Sequence, residues 1–253
     1  MNEFKNKVVL VSGGSRGIGK ATVIAFAKEG AKVAINYRSD TASAEDTLSL
    51  LEGKGHALFQ YDISTKENQQ KLVSEVVEHY GQLDVLVNNA GISVEHELDK
   101  VDFEHWTKAF ENTFQTNLFA AANLSFLAAQ HMMKNGGGSI VSVSSRGAFR
   151  GEPTKPAYGS SKAALNAMSQ SLAKKLAPHN ISVGVVAPGF TETDMAAETL
   201  TPIERDNLLR ESPFKRMAQP EEVAHAVLFL ASEKAAYSSG TIIDVNGASY
   251  LRS

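Results

Sequence analysis

Tyr158 and Lys162 stand four residues apart in a segment of helical period, so a helix would carry both side chains on one face. A phenol ordinarily loses its proton near pH ~10, and a neighbouring ammonium favours the phenolate. Such a tyrosine can protonate a carbonyl oxygen during reduction, or take the proton of an alcohol in reverse. By itself, Y-x-x-x-K reads more readily as an ordinary helix surface. Ser145 closes a short apolar strand, where its hydroxyl could bond a substrate oxygen, and Ser144 beside it is a competitor.

The second chemical signature is Gly13-Gly14-Ser15-Arg16-Gly17-Ile18-Gly19-Lys20, which follows one apolar run and opens a helix. Glycines let the backbone turn tightly, and the unpaired N–H groups of a helix start favour a phosphate. Three patterns fit. Gly14 to Lys20 matches a P-loop, but Ala21 stands where that motif needs Ser or Thr for magnesium. Gly13 to Gly17 matches G-x-S-x-G, yet no earlier strand supplies the loop that completes a hydrolase's oxyanion hole. G-x-x-x-G-x-G, a dinucleotide-binding variant, needs only the glycines and the strand–turn–helix context, and both are present.

These residues must be positioned by the elements around them. Val8–Val11, Lys32–Asn36, Ala57–Gln60, Leu83–Val87, Ile140–Val143, Ile181–Val186 and Ile242–Val245 read as short buried strands. Helical patterns lie between them: Ile18–Lys28, a polar helix up to Gly53, a helix up to Tyr80 opened by a capping box at Ser64–Glu67, then Asp102–Lys134 and Ala157–Ala177. Strand–helix alternation implies right-handed crossovers and a parallel sheet covered on both faces. The expectation is an α/β fold: one doubly wound Rossmann-type domain over residues 1–253, with roughly seven strands. In such sheets ligands bind beyond the carboxyl ends of the strands, where strand order reverses.

Composition removes other classes. A charge of −3 gives no electrostatic footprint for nucleic acid or an anionic membrane surface. With no cysteine there is no disulfide, thiolate nucleophile or zinc–sulfur site. The seven histidines show no close ligand spacing such as H-x-x-x-H, so no metal is expected. Met1 to Lys7 is polar, Val8–Val11 is too short for a signal-peptide core, and no apolar stretch approaches the ~18 residues of a membrane span. A soluble, cytoplasmic protein is expected.

Four further features act together. Asn88-Asn89-Ala90-Gly91 follows the fourth strand and Ser145 the fifth; Tyr158-Gly159-Ser160-Ser161-Lys162 opens the next helix, and Pro188-Gly189 follows the sixth strand. In this order and spacing the chain resembles the compact short-chain dehydrogenase/reductase family over essentially its whole length. It is most similar there to bacterial 3-oxoacyl-acyl-carrier-protein reductases and their sugar and alcohol dehydrogenase cousins. The resemblance implies a hydride transfer between a nicotinamide and a carbonyl or alcohol, with Tyr158 as proton donor beside Lys162. The positive ring of an oxidised nicotinamide would join the ammonium in favouring the phenolate. The family's serine–tyrosine interval selects Ser145, and Asn117 matches an asparagine that holds a relay water with the lysine.

For the cofactor, the resemblance assigns Ser12, Gly13, Ser15, Arg16, Gly17, Ile18 and Gly19 to the pyrophosphate, and Asp62 and Ile63 to adenine. It assigns Asn89, Ala90 and Gly91 to the adenosine side, and Pro188, Gly189, Thr191 and Thr193 to the nicotinamide amide. The resemblance also implies that Tyr158 and Lys162 contact the cofactor, with the lysine on the nicotinamide ribose. About 20 residues past the glycines, NAD enzymes usually place an acid. Here Asn36-Tyr37-Arg38 has none, and Arg38 with Arg16 suits a 2′-phosphate. NADP(H) is therefore the preferred cofactor, with NAD(H) left open.

Departures also stand out. Ser12 replaces the usual Thr, Asn246-Gly247-Ala248 replaces Asp-Gly-Gly, and Trp106 to Asn117 is longer by about one helical turn of ~3.6 residues. The basic residues that would meet an acyl carrier protein are not evident near Asn135 and His179, although Lys174, Lys175, Arg146 and Arg150 offer charge. Specificity is expected from Arg146–Pro156 and Glu192–Pro213, with 196–213 read as a polar lid. A homotetramer is implied, with dimer faces on the apolar stripes of 113–133 and 157–176. The competing classes are a sugar or secondary-alcohol dehydrogenase, a non-catalytic dinucleotide-binding protein, and an epimerase or dehydratase of the extended relatives.

Overall fold

Val-Val-Leu-Val at β1 (Val8–Val11) buries all four side chains, which only a strand covered on both faces can do. The computed structural model describes residues 3–193 and 201–252. Six more strands join β1: β2 (Lys32–Tyr37), β3 (Ala57–Gln60), β4 (Val85–Asn88), β5 (Gly138–Val143), β6 (Ile181–Pro188) and β7 (Ile242–Val245). All pair in parallel, in the order β3-β2-β1-β4-β5-β6-β7. The chain runs outward from β1 to β3, then returns to lay β4 on the other side of β1. The connections after β1 and β4 therefore depart in opposite directions and leave a crevice at the carboxyl ends of these strands.

The helices are α1 (Gly17–Lys28), α2 (Thr41–Ser49), α3 (Lys66–Tyr80), α4 (Phe103–Phe114), α5 (Ala120–Lys134), the single turn α6 (Gly147–Arg150), α7 (Pro156–Leu176), α8 (Pro202–Glu211) and α9 (Pro220–Ala231). Alternate strand residues serve opposite layers. Val8, Leu10, Leu86 and Ile140 pack with Leu72, Leu124, Met132 and Leu176 of α3, α5 and α7. Val9, Val11, Val87 and Val141 pack with Val23, Phe26, Val223 and Val227 of α1 and α9. The helices thus cover both faces of the sheet.

Three local expectations change. The cap of α3 is Thr65, whose Oγ1 accepts the Asn68 N–H at 3.3 Å; Ser64 is held instead in a turn by Asp62 Oδ1 at 2.9 Å. A Glu-based cap does occur at α9, where Glu222 accepts the Gln219 N–H at 2.7 Å. The long helical region of 102–134 contains a turn of π-helix at Gln115–Phe119, so its hydrogen-bond ladder shifts by one residue there. Of the lid expected at 196–213, residues 196–200 lie outside the described residues, and 202–211 form α8.

Candidate active site

The proline at the start of α7 presets its first helical turn, and the helix carries Tyr158 and Lys162 on the face toward β5. Ser145 follows β5, where its Oγ accepts the Gly147 N–H at 3.0 Å and is near enough to the Tyr158 hydroxyl to favour its ionised form. Ser144, the competitor, is buried and donates to the Lys162 carbonyl at 3.3 Å. Ser144 is thus committed to the α7 backbone, while Ser145 beside it is only half-buried. Lys162 is buried; its Nζ donates to the Val143 carbonyl at 2.8 Å and lies 5.9 Å from the centre of the Tyr158 ring.

Asn117 sits in the π-turn, its side chain buried. Its Oδ1 accepts the Ile92 N–H at 2.8 Å, and its Nδ2 donates to the Ile92 carbonyl at 3.0 Å and to Ser161 Oγ at 3.1 Å. A Cβ on Gly91 would lie 3.3 Å from both Asn117 Oδ1 and Lys162 Nζ. Asn117, Ser145, Tyr158 and Lys162, drawn from three segments of the chain, thus meet beside the loop that follows β4. Asn117 clamps that loop with most of its hydrogen-bonding groups.

The electrostatics differ from the simplest expectation. Burial pushes the Tyr158 phenol above 10.0; the Ser145 side chain pulls it down, and the nearby Glu152 carboxylate pushes it up. Burial also lowers Lys162 from 10.5 to about 8. Loss of water penalises both charged forms, and this outweighs any pull of the ammonium on the phenol. In the protein alone, Tyr158 holds its proton, the form that a donor needs.

The glycine-rich turn lies at the crevice opened by the strand reversal. Gly13 and Gly17 adopt φ of +64° and +54°, and a Cβ on Gly19 would come within 2.1 Å of the Gly13 carbonyl oxygen. The α1 N-terminus has neither a side-chain cap nor an acidic residue in its first turn, whereas Asp40, Thr65 and Asp102 cap α2, α3 and α4. An uncapped helix start over a tight glycine turn fits a pyrophosphate. Arg16 and Arg38 are exposed and, among the described residues, form no ion pair. The residues present therefore fit a dinucleotide. Among the described residues, no group of three His, Asp or Glu could hold a metal ion, and no helix is long and apolar enough to cross a membrane.

A family model described as enoyl-(acyl carrier protein) reductase matches residues 13–248. The chain is 34% identical over 97% of its length to a Staphylococcus epidermidis 3-oxoacyl-[acyl-carrier-protein] reductase, all of which is covered. It is 38% identical over 96% to the enzyme of that name from Thermotoga maritima, covering 98% of it. An uncharacterized oxidoreductase of Thermotoga maritima is 37% identical over 97% of this chain and 98% of its own. The chain belongs to the short-chain dehydrogenase/reductase family. It is an NAD(P)-dependent oxidoreductase acting on carbonyl and hydroxyl groups.

The remaining residues singled out by the family resemblance fall around the same crevice. Ser12 Oγ accepts from the Asn89 and Ala90 N–H groups, both at 3.1 Å, and donates to Val87 at 3.3 Å. The Asn89 amide donates back to the Ser12 and Gly13 carbonyls at 3.0 and 2.9 Å, so these two side chains clasp the turns after β1 and β4 to each other. Ile63 is buried in the core and Asp62 braces its turn through Ser64. Pro188 accepts the Arg146 N–H at 2.8 Å, Gly189 passes close to Asn246, and Thr191 forms a bridge with Ala218. Thr193 reaches the glycine turn, its Cγ2 lying 3.2 Å from where a Cβ on Gly17 would stand.

The structure corrects one expectation about charge. Arg146 is buried, stacks on Phe190 and pairs with Glu211 at 2.7 Å; Arg150 reaches the same carboxylate at 2.8 Å. Neither guanidinium is a free surface charge. Glu211 and Thr47 are the residues sequence reasoning missed. Their partners are distant in the chain and no spacing motif marks them.

Proposed function

We propose that this chain is an NADPH-preferring ketone reductase of the 3-oxoacyl-thioester class, in which one domain both binds the dinucleotide and performs the proton chemistry. The observation that carries this reading is the convergence of Ser145, Tyr158 and the buried Lys162, whose Nζ lies 5.9 Å from the centre of the Tyr158 ring, beside the crevice of the strand reversal. A bound nicotinamide supplies the hydride. Ser145 holds the carbonyl oxygen of the substrate, and Tyr158 gives that oxygen its proton as negative charge develops. Lys162 steadies the phenolate that remains, and Asn117 keeps the loop around Gly91 against the lysine. The uncapped start of α1 takes the pyrophosphate, and Arg16 and Arg38 take the 2′-phosphate.

The relatives' names support an acyl-carrier-linked substrate, a cytoplasmic setting accords with them, and a homotetramer remains the family expectation. Exposed Phe119 and Phe126 on the stripe of 113–133 are consistent with a subunit contact. A second reading, a sugar or secondary-alcohol dehydrogenase, is favoured by the pairing of Arg146 and Arg150 with Glu211, which leaves Lys174 and Lys175 as the exposed charges of the set named for a carrier.

One assay separates these readings. NADPH and NADH are each offered with an acetoacetyl-carrier thioester, acetoacetyl-CoA, a crotonyl thioester and a free ketone. NADPH oxidation with the carrier thioester should exceed that with the CoA thioester, and the advantage should shrink as salt shortens the steering field to ~8 Å at physiological ionic strength. Tyr158→Phe should bind NADPH but lose ~10²–10⁴ of kcat. Near-normal turnover by that variant overturns the proton-donor reading. Turnover of the crotonyl thioester alone overturns ketone reduction, and turnover of the free ketone alone favours the second reading.

A further inference from the structure

His96 is completely buried in the segment between β4 and α4, and the reaction described above makes no use of it. Its Nδ1 lies 2.9 Å from the Val94 carbonyl, which can only accept, so that nitrogen carries the proton. Its Nε2 lies 3.1 Å from the Ala157 amide, which can only donate, so that nitrogen presents its lone pair. Both partners together specify the neutral ring in a single tautomer. The ring edge packs on Trp106 and Phe110 at centroid distances of 5.4 and 5.6 Å, and the His96 N–H donates to the Thr154 carbonyl at 3.0 Å.

Ala157 belongs to the first turn of α7, whose amides have no partner within the helix. The residue at the N-cap, Lys155, makes no side-chain cap, and Pro156 has no N–H to offer. His96 therefore caps α7 from a segment 61 residues away, at the amide immediately before Tyr158. The Lys155–Glu95 pair, at 3.3 Å with Glu95 exposed and Lys155 half-buried, is a second and weaker tie between the same segments. We propose that His96 is a positioning residue: through the Ala157 N–H it fixes the first turn of α7 and so aims the Tyr158 hydroxyl at Ser145. This rests on Tyr158 being the proton donor.

The test has two parts, run on the full chain. In protein labelled with 15N-histidine, the resonances that vanish in His96→Gln should show Nδ1 protonated and Nε2 bare at pH 7. A protonated Nε2 overturns the proposal, and the protonation itself is read on the unsubstituted chain. In kinetics, His96→Phe keeps an aromatic ring and removes the acceptor. It should lower kcat about tenfold, through misplacement of Tyr158, while the NADPH Kd stays within about twofold. His96→Gln restores an acceptor and should recover most of the loss. Wild-type kcat in His96→Phe, or an equal loss of kcat and NADPH affinity without rescue by Gln, overturns the positioning role. Tyr158→Phe, measured alongside, keeps the two readings apart. An inactive Tyr158→Phe with a fully active His96→Phe removes only the role of His96, whereas an active Tyr158→Phe removes both.

Discussion

Lys162 and Tyr158 are both driven by burial toward their uncharged forms, and they titrate in different ranges. Below about 8 the lysine is an ammonium; Tyr158 keeps its proton beyond 10.0. Between these values the donor proton is still present, but the cation that would stabilise the emerging phenolate is lost. The kcat/KM of carbonyl reduction, which reports on the enzyme before substrate binds, should therefore fall as pH rises through about 8. A profile that stays flat to pH 10 would contradict this role for Lys162. Stability moves the other way. From about 8 to 10.5 the unfolded chain binds the lysine's proton more tightly, so this residue's contribution to stability grows with pH.

At the scale of elements, the glycine-rich turn depends on α2 as well as on its own glycines. Thr47, fully buried on α2, donates from Oγ1 to the Ser15 carbonyl at 2.8 Å. Thr47→Val keeps the shape and leaves that carbonyl unpaired, a loss of about 1–3 kcal/mol. Denaturant unfolding should show this cost, and a fluorescence titration should show weaker NADPH binding. Thr47→Ser, which keeps the hydroxyl, should behave close to the original chain. Equal NADPH affinity in the Val and Ser variants would detach α2 from the turn. The π-turn at Gln115–Phe119 works similarly: it is an irregular element that brings Asn117 to the Ile92 backbone.

Across the whole molecule, the ion pairs of Glu211 with Arg146 and Arg150 join α8 to the segment that carries Ser145. Burial alone would raise the Glu211 carboxyl, but the two guanidiniums outweigh it and hold it below 4.5. Its stabilisation is therefore present above 4.5 and is lost as pH falls through the lowered value. Glu211→Gln leaves the buried Arg146 without its counter-charge. Because Glu211 itself is 41% exposed, the cost should be reduced to about 1–2 kcal/mol. Urea unfolding should show that gap near neutral pH and its closure in acid, and KM should rise more than kcat falls. A gap that persists unchanged in acid would mean that the carboxylate's charge is not what matters.

Much of this was legible in the amino-acid order alone. Buried strands such as Val8–Val11 and Ile181–Val186 announce themselves because both faces must be apolar, and the Gly13–Gly19 turn because only glycine tolerates its backbone. Tyr158 and Lys162 were visible because helical spacing is local. Tertiary structure alone decided what depends on contacts between distant segments. It turned Arg146 and Arg150 inward to Glu211, and let burial outweigh the Ser145 contact that favours the Tyr158 phenolate. It also set His96 at the head of α7. A side chain's charge and direction depend on what surrounds it after folding, and desolvation has no counterpart in the linear pattern.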